Sequence, residues 1–191
     1  EIPKFVGLNA PTIINFLKES TTKLKTQVLL SPSKDKVETL INLLKQLEGQ
    51  SGIVFCNYKD SIERLSEHLS KNNLSHAKYY GGLEQNEREK ALLMFRNGSY
   101  KIIIATDLAA RGIHVPDLNF IIHYQMPQRE EEFIHRNGRT ARMKANGTAY
   151  IIQGNGESLP DFVKNAESFN LNKAEQKKSK QWSTLYISAG K

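Results

Sequence analysis

Between residues 27 and 152 the chain repeats one pattern. A short apolar run is followed by apolar residues at helical spacing, and then by another apolar run. The short runs fall at 27–30, 52–55, 77–80, 101–105, 120–124 and 148–152, and each reads as a strand. Between them, Val37, Leu40, Ile41, Leu44 and Leu47 recur at three- and four-residue intervals, as do Ile62, Leu65 and Leu69. Two further helices are predicted over 84–95, with Ala91, Leu92 and Phe95 inward, and from 130 to about 136. Ser31-Pro32 reads as the start of the first helix, and Gly49 and Asn97-Gly98 read as stops. Apolar strands alternating with helices imply an α/β fold: a mainly parallel sheet in a three-layer sandwich, with helices on both faces. In such sheets ligands bind outside the carboxyl ends of the strands. The loops near Asn57, Gly81, Thr106 and Met126 are therefore the candidate ligand-binding loops.

The 191 residues suit one domain with some tail, and 39% hydrophobic content excludes wholesale disorder. No apolar run reaches the roughly 18 residues of a membrane-spanning helix, so no membrane partner is expected. Glu1-Ile2-Pro3-Lys4 does not resemble a signal peptide, and one cysteine, Cys56, can form neither an internal disulfide nor a cysteine-based zinc site. A cytoplasmic setting is the expectation. Net charge is +7, which favours anionic partners such as nucleic acid. The charge is uneven, however: residues 171–191 carry five lysines against one glutamate.

The densest group of charged side chains is His135-Arg136-Asn137-Gly138-Arg139-Thr140-Ala141-Arg142. Arginines at 136, 139 and 142 share one side of a helix or tight turn, and three guanidinium forks there call for an anion. Phosphate matches the fork geometry. A solvated basic helix end would explain an isolated pair, but Gly138 within the run costs a helix about 1 kcal/mol and argues for a built turn. A second group, Thr106-Asp107-Leu108-Ala109-Ala110-Arg111-Gly112-Ile113, begins where an apolar strand ends. Thr106 or Asp107 can cap the following turn, and Gly112 permits close backbone approach. Gln85 and Arg88 open a helix just after Gly81-Gly82, and Asn57 and Lys59 follow a strand directly. All four can reach a nucleic-acid backbone, and all four fit an ordinary polar surface equally well. His123 and Cys56 read as buried structural residues, and His68 and His76 have no partner for a metal site. The 191 residues contain no phosphate-loop pattern, no Asp-Glu pair, no dinucleotide-binding glycine pattern and no G-x-S-x-G elbow.

Taken in order and spacing, residues 25 to 153 resemble the C-terminal RecA-like lobe of DEAD-box RNA helicases. Ile53-Val54-Phe55-Cys56-Asn57 resembles its motif IV, and Gln85 with Arg88 its Q-x-x-R element. Residues 106–112 resemble motif V, and 135–142 resemble motif VI. The resemblance implies an RNA-stimulated ATPase whose ATP and Mg2+ lie between this lobe and a preceding RecA-like lobe. It implies that Arg139 and Arg142 reach the γ-phosphate, with Arg142 the arginine finger. Arg111, His114, His135, Arg136 and Gly138 would belong to the ATP and interlobe surface. Asn57, Lys59, Gly81, Gln85, Arg88, Thr106 and Gly112 would line RNA, ribosomal RNA included.

Three positions depart from the family pattern. His114 stands where an Asp touches the ribose, Tyr58 stands for a Thr, and Gln125 for an Asp. Residues 1–24 read as an interlobe approach segment and 154–181 as a polar basic linker. Residues 182–191 are similar to the first strand of the small RNA-binding domain of bacterial DbpA-type helicases, and, with no phosphate loop or D-E-A-D sequence among the 191 residues, this chain resembles a piece inactive by itself. The alternative is a stand-alone RNA-binding adaptor with this fold and no ATP chemistry. Arg139 and Arg142 argue against it, since an adaptor needs no γ-phosphate sensor.

Overall fold

The computed structural model describes residues 24–110, 118–140, 147–163 and 166–171. The strands are β1 (Leu24–Leu30), β2 (Gly52–Phe55), β3 (His76–Tyr79), β4 (Ile102–Ala105), β5 (Phe120–His123), β6 (Gly147–Gln153) and β7 (Glu167–Ser168). The helices are α1 (Val37–Gln46), α2 (Lys59–Lys71), α3 (Gln85–Arg96), α4 (Asp107–Ala110) and α5 (Glu130–Asn137). The strands form one sheet in the order β3-β4-β2-β5-β6-β1-β7, and every pairing between them is parallel.

Side-chain alternation along each strand divides the core in two. Val54, Ile104, Ile122 and Ile152 face α1 and α2, where Leu40, Leu43, Leu44, Ile62, Leu65 and Leu69 are buried against them. Ile53, Phe55, Ile103, Ile121 and Ala149 face the other way, onto Ala91 and Phe95 of α3 and Ala109 and Ala110 of α4. Both faces of the central strands are thus apolar, which is why these strands read as continuous hydrophobic runs. Gly49 and Gly98 adopt φ of +81° and +80°, the left-handed conformation that lets the chain turn sharply out of α1 and α3.

The first helix differs from its expected start. Ser31-Pro32 does not open it; α1 begins at Val37, and residues 32–34 form a bend. The Asp35 carboxylate accepts the Val37 N–H at 3.2 Å, so Asp35 initiates the helix. Ser31 is buried, and its hydroxyl accepts from Thr39 at 3.1 Å instead of capping.

Part of the stretch that composition assigns to a linker packs on the sheet. Residues 167–168 form β7 beside β1, and the Phe169 N–H donates to the Val28 carbonyl at 2.7 Å. Phe169 meets the Tyr150 ring at 5.6 Å, Phe162 meets Phe133 at 5.6 Å, and the Leu171 carbonyl accepts from Gln46 at 2.9 Å. Residues 1–23 and 172–191 lie outside the described residues, and with them the approach segment and the 182–191 strand.

At the centre of the sheet β2 and β5 are neighbours whose onward connections diverge. The chain leaves β2 towards β3 on one side and β5 towards β6 on the other. A crevice opens outside the carboxyl ends of the two strands.

Candidate functional site

Arg136 does not share an exposed face with Arg139. It lies in the last turn of α5 and is 1% exposed, three residues after the buried Phe133 on the same inward stripe. Burying a guanidinium requires that its donors be satisfied. Its Nε donates to Asp107 Oδ1 at 2.7 Å and its Nη2 to Asp107 Oδ2 at 2.5 Å, a bidentate grip on the first residue of α4. Nη1 donates to the Gln125 carbonyl at 2.6 Å, and Nη2 also donates to Asn57 Oδ1 at 2.8 Å. The Phe55 ring lies 5.1 Å from the guanidinium carbon. One cation therefore joins the ends of β2 and β5 and the start of α4 to α5.

Asn57 is equally committed. Its N–H donates to Gln125 Oε1 at 2.8 Å and its side-chain amide donates to the Met126 carbonyl at 2.9 Å. Gln125, which stands where the resembled family has Asp, is thus a strut between the β2 and β5 loops. Gly138 does not interrupt α5; it is the C-cap, with φ −66°, and its N–H donates to the Ile134 carbonyl at 2.9 Å. The Arg139 N–H returns to the Arg136 carbonyl at 3.0 Å, and Arg139 lines a narrow cleft with Phe55, Asp107, Ala110, His135 and Arg136. His135 is exposed and Arg139 half-buried.

The remaining sequence-selected residues gather at the other end of the carboxyl edge. Lys59 opens α2 with its ammonium 5.4 Å from the Tyr80 ring centre, and the exposed Gly81 follows directly. Gln85 opens α3 and donates to Glu89 at 2.7 Å. Arg88 stacks its guanidinium 5.3 Å from the Tyr79 ring, and the Tyr79 carbonyl accepts the Thr106 N–H at 3.3 Å. Arg88, Tyr79 and Thr106 thus form a contiguous ridge. Arg111, Gly112, His114 and Arg142 lie outside the described residues.

In the sequence Asp107 reads only as a cap, and its part as the counter-ion of Arg136 was missed. The available signal was an acid at a strand end beside an arginine at a buried helical position. His123, read as structural, is fully buried at the end of β5, 4.7 Å from the Phe133 ring. Burial and the nearby Arg136 cation push its pKa down to about 3, so it is neutral and donates from Nε2 to Asn137 Oδ1 at 3.0 Å. Burial pushes the Cys56 thiol up to about 12, which makes it chemically inert.

The chain matches the family described as helicase conserved C-terminal domain over residues 35–144. It is 36% identical over 156 residues to DEAD-box ATP-dependent RNA helicase 9, mitochondrial, of Arabidopsis thaliana, covering 79% of this chain and 25% of that protein. It is 32% identical over 151 residues to the ATP-dependent RNA helicase RhlB of Pseudomonas aeruginosa, covering 78% and 38%. This chain therefore spans less than half the length of these relatives. Among solved structures it is similar to the Escherichia coli DEAD-box protein SrmB bound to regulator of ribonuclease activity A, with TM-score 0.70 and 26% identity over 80% of this chain and 94% of that one. The C-terminal domain of the DEAD-box protein Dbp5 gives TM-score 0.69 and 25% identity over 76% and 89%. The fold, the motif order and these matches agree: the chain belongs to the helicase conserved C-terminal domain family, as a RecA-like C-terminal lobe of the DEAD-box type.

Proposed function

We propose that this lobe supplies half of the ATP- and RNA-binding cleft of an ATP-dependent RNA helicase, with Arg139 and Arg142 directed at the γ-phosphate and Arg142 as arginine finger. The observation that carries the reading is the fourfold bonding of Arg136. It ties the Asn57 loop and α4 to the end of α5 that carries the Arg139 turn. RNA held along Asn57, Lys59, Gly81, Gln85, Arg88, Thr106 and Gly112 then biases the body that carries Arg139 and His135, and in this reading Arg111 and His114 complete the nucleotide surface. Asp107 is the one carboxylate lining the described cleft, and Arg136 already holds it. This lobe therefore suits phosphate oxygens rather than a metal, and Mg2+ and the phosphate loop belong to a preceding lobe. The names of the matched relatives support ATP dependence and an RNA substrate.

The test uses a two-lobed protein containing this chain. Arg142→Ala should cut RNA-stimulated ATP turnover by on the order of 10³-fold, with nucleotide-free RNA binding little changed. The 191-residue chain alone should hydrolyse no ATP. Equal losses of turnover and RNA binding would make Arg142 an RNA contact, and turnover by the isolated chain would overturn the two-lobe reading.

A further inference from the structure

The crevice at the divergence of β2 and β5 holds a cavity of about 550 Å³, large enough for a mononucleotide. The Arg136 cleft lies elsewhere: none of Asp107, His135, Arg136 or Arg139 lines the cavity, and Asn57 stands in its wall. Its chemistry is donor-rich. Lys36 lies within it with a side chain only 10% exposed, its ammonium 5.4 Å from the Tyr124 ring centre. Lys34 and Arg64 add two more cations, against the carboxylates of Asp35 and Glu157.

Both acids are already occupied by the protein. Glu157 Oε2 accepts from Lys36 Nζ at 3.0 Å and from the Gly154 N–H at 2.8 Å. Asp35 accepts from Arg64 at 2.6 Å through Oδ2 and from the Val37 N–H through Oδ1. The donors are not all occupied. Tyr124 lines the cavity and is 7% exposed, and its hydroxyl has no hydrogen-bond partner among the described residues. Burial and the Asp35 charge push its pKa up to about 12, so it keeps its proton and stays a donor at neutral pH. Gln125 turns its amide oxygen to the Asn57 N–H, which leaves its NH2 without a partner among the described residues. The Arg64–Asp35 pair is more than half exposed on both sides, and such pairs exchange readily for a better anion.

We propose that this crevice is a phosphomonoester-binding site, with Lys36, Tyr124 and Arg64 holding the phosphate, separate from the ATP cleft. Spare donors on a buried cationic floor suit a ligand rich in acceptors and carrying about two negative charges, which a terminal phosphate supplies. The floor is formed by buried side chains, so the phosphate enters as the end of its ligand. That end is either a free mononucleotide or the 5′-phosphate of an RNA strand.

The test is NMR titration of the 191-residue chain, following the backbone amides of Ser61, Asn155 and Gly156. The probes are inorganic phosphate, AMP, adenosine, and a short single-stranded RNA with and without a 5′-phosphate. Inorganic phosphate and AMP should shift these amides and adenosine should not. Tyr124→Phe, which preserves the ring, should weaken AMP binding about fivefold, and Lys36→Met should weaken it further. If Lys36→Met fails to fold, Tyr124→Phe decides alone. Shifts with 5′-phosphorylated but not 5′-hydroxyl RNA identify the strand end as the source, and shifts with AMP but neither RNA identify the free nucleotide. Equal shifts from adenosine and AMP, unchanged AMP binding by Tyr124→Phe, or disappearance of the shifts in Arg139→Ala would overturn the proposal.

Discussion

Arg136 and Asp107, 29 residues apart, form a bidentate ion pair in which the arginine is 1% exposed and the carboxylate 24%. Removing one partner of such a pair leaves a buried charge uncompensated. Asp107→Asn should therefore destabilise the fold by about 3 kcal/mol, a far larger effect than at a surface pair. Urea unfolding checks this, with Arg129→Gln as the reference at the Arg129–Glu132 pair, whose arginine is exposed. A change below about 1 kcal/mol for Asp107→Asn would mean that Asn57 and the Gln125 carbonyl satisfy the guanidinium unaided.

His123 sets an acid limit on stability. Its folded pKa is depressed from 6.5 to about 3, so between these values the unfolded chain binds a proton that the folded one excludes. Stability is then full above about pH 6.5 and falls as pH drops, with a slope approaching 1.4 kcal/mol per pH unit. His76, whose pKa burial also lowers, acts in the same direction. From pH 7 to pH 5 the wild type should lose about 2 kcal/mol more unfolding free energy than His123→Leu. Equal losses would show that His123 protonates in place.

Gly52 and Phe120 are register partners at the start of β2 and β5, and a Cβ on Gly52 would overlap the Phe120 ring. The backbone at Gly52 is not in a left-handed conformation, so the constraint is space alone. Gly52→Ala should destabilise by on the order of 1–3 kcal/mol through overpacking. Trimming the ring should relieve the overlap, so Gly52→Ala with Phe120→Leu should lose less than the sum of the single losses. Additive losses in thermal unfolding would place the strain elsewhere.

Truncation after Leu171 keeps the Gln46 hydrogen bond and removes Lys173, Lys177, Lys178, Lys180 and Lys191. If these lysines neutralise RNA phosphates, the slope of log K against log salt should flatten on single strands. The change should be about 0.7 for each phosphate that no longer meets a lysine. An unchanged slope would put the binding on the ridge of Arg88, Tyr79 and Thr106.

The strands were legible because both faces of the central sheet are apolar, and the helices because one stripe of each is. Ser31-Pro32 misled because a cap signal is local, whereas Ser31 is claimed by Thr39 eight residues on. β7 was hidden because it consists of two polar residues held by backbone bonds, within a stretch whose scattered apolar residues form no strand alternation. In the site, the loops were findable from strand ends alone. The inward turn of Arg136 was not, since arginine reads as surface unless its spacing from Phe133 is weighed above its charge. The Asn57–Gln125–Arg136 junction joins residues far apart in sequence, and no local pattern encodes it.

The place of β1 in the sheet carries a consequence for biosynthesis. β1, the earliest of the described strands, is the sixth in spatial order, with Leu24 paired to Gly147 and Leu30 to Gln153. While the ribosome is still extending the chain, β2, β3, β4 and β5 can already assemble with their helices. β1 meanwhile has no permanent neighbour and must wait until β6 leaves the exit tunnel. Its closure is a long-range event, of the kind that slows folding and leaves strand edges open to aggregation. A nascent chain stalled before Gly147 would thus carry β1 without its β6 partner, so this seam closes only when β6 has emerged.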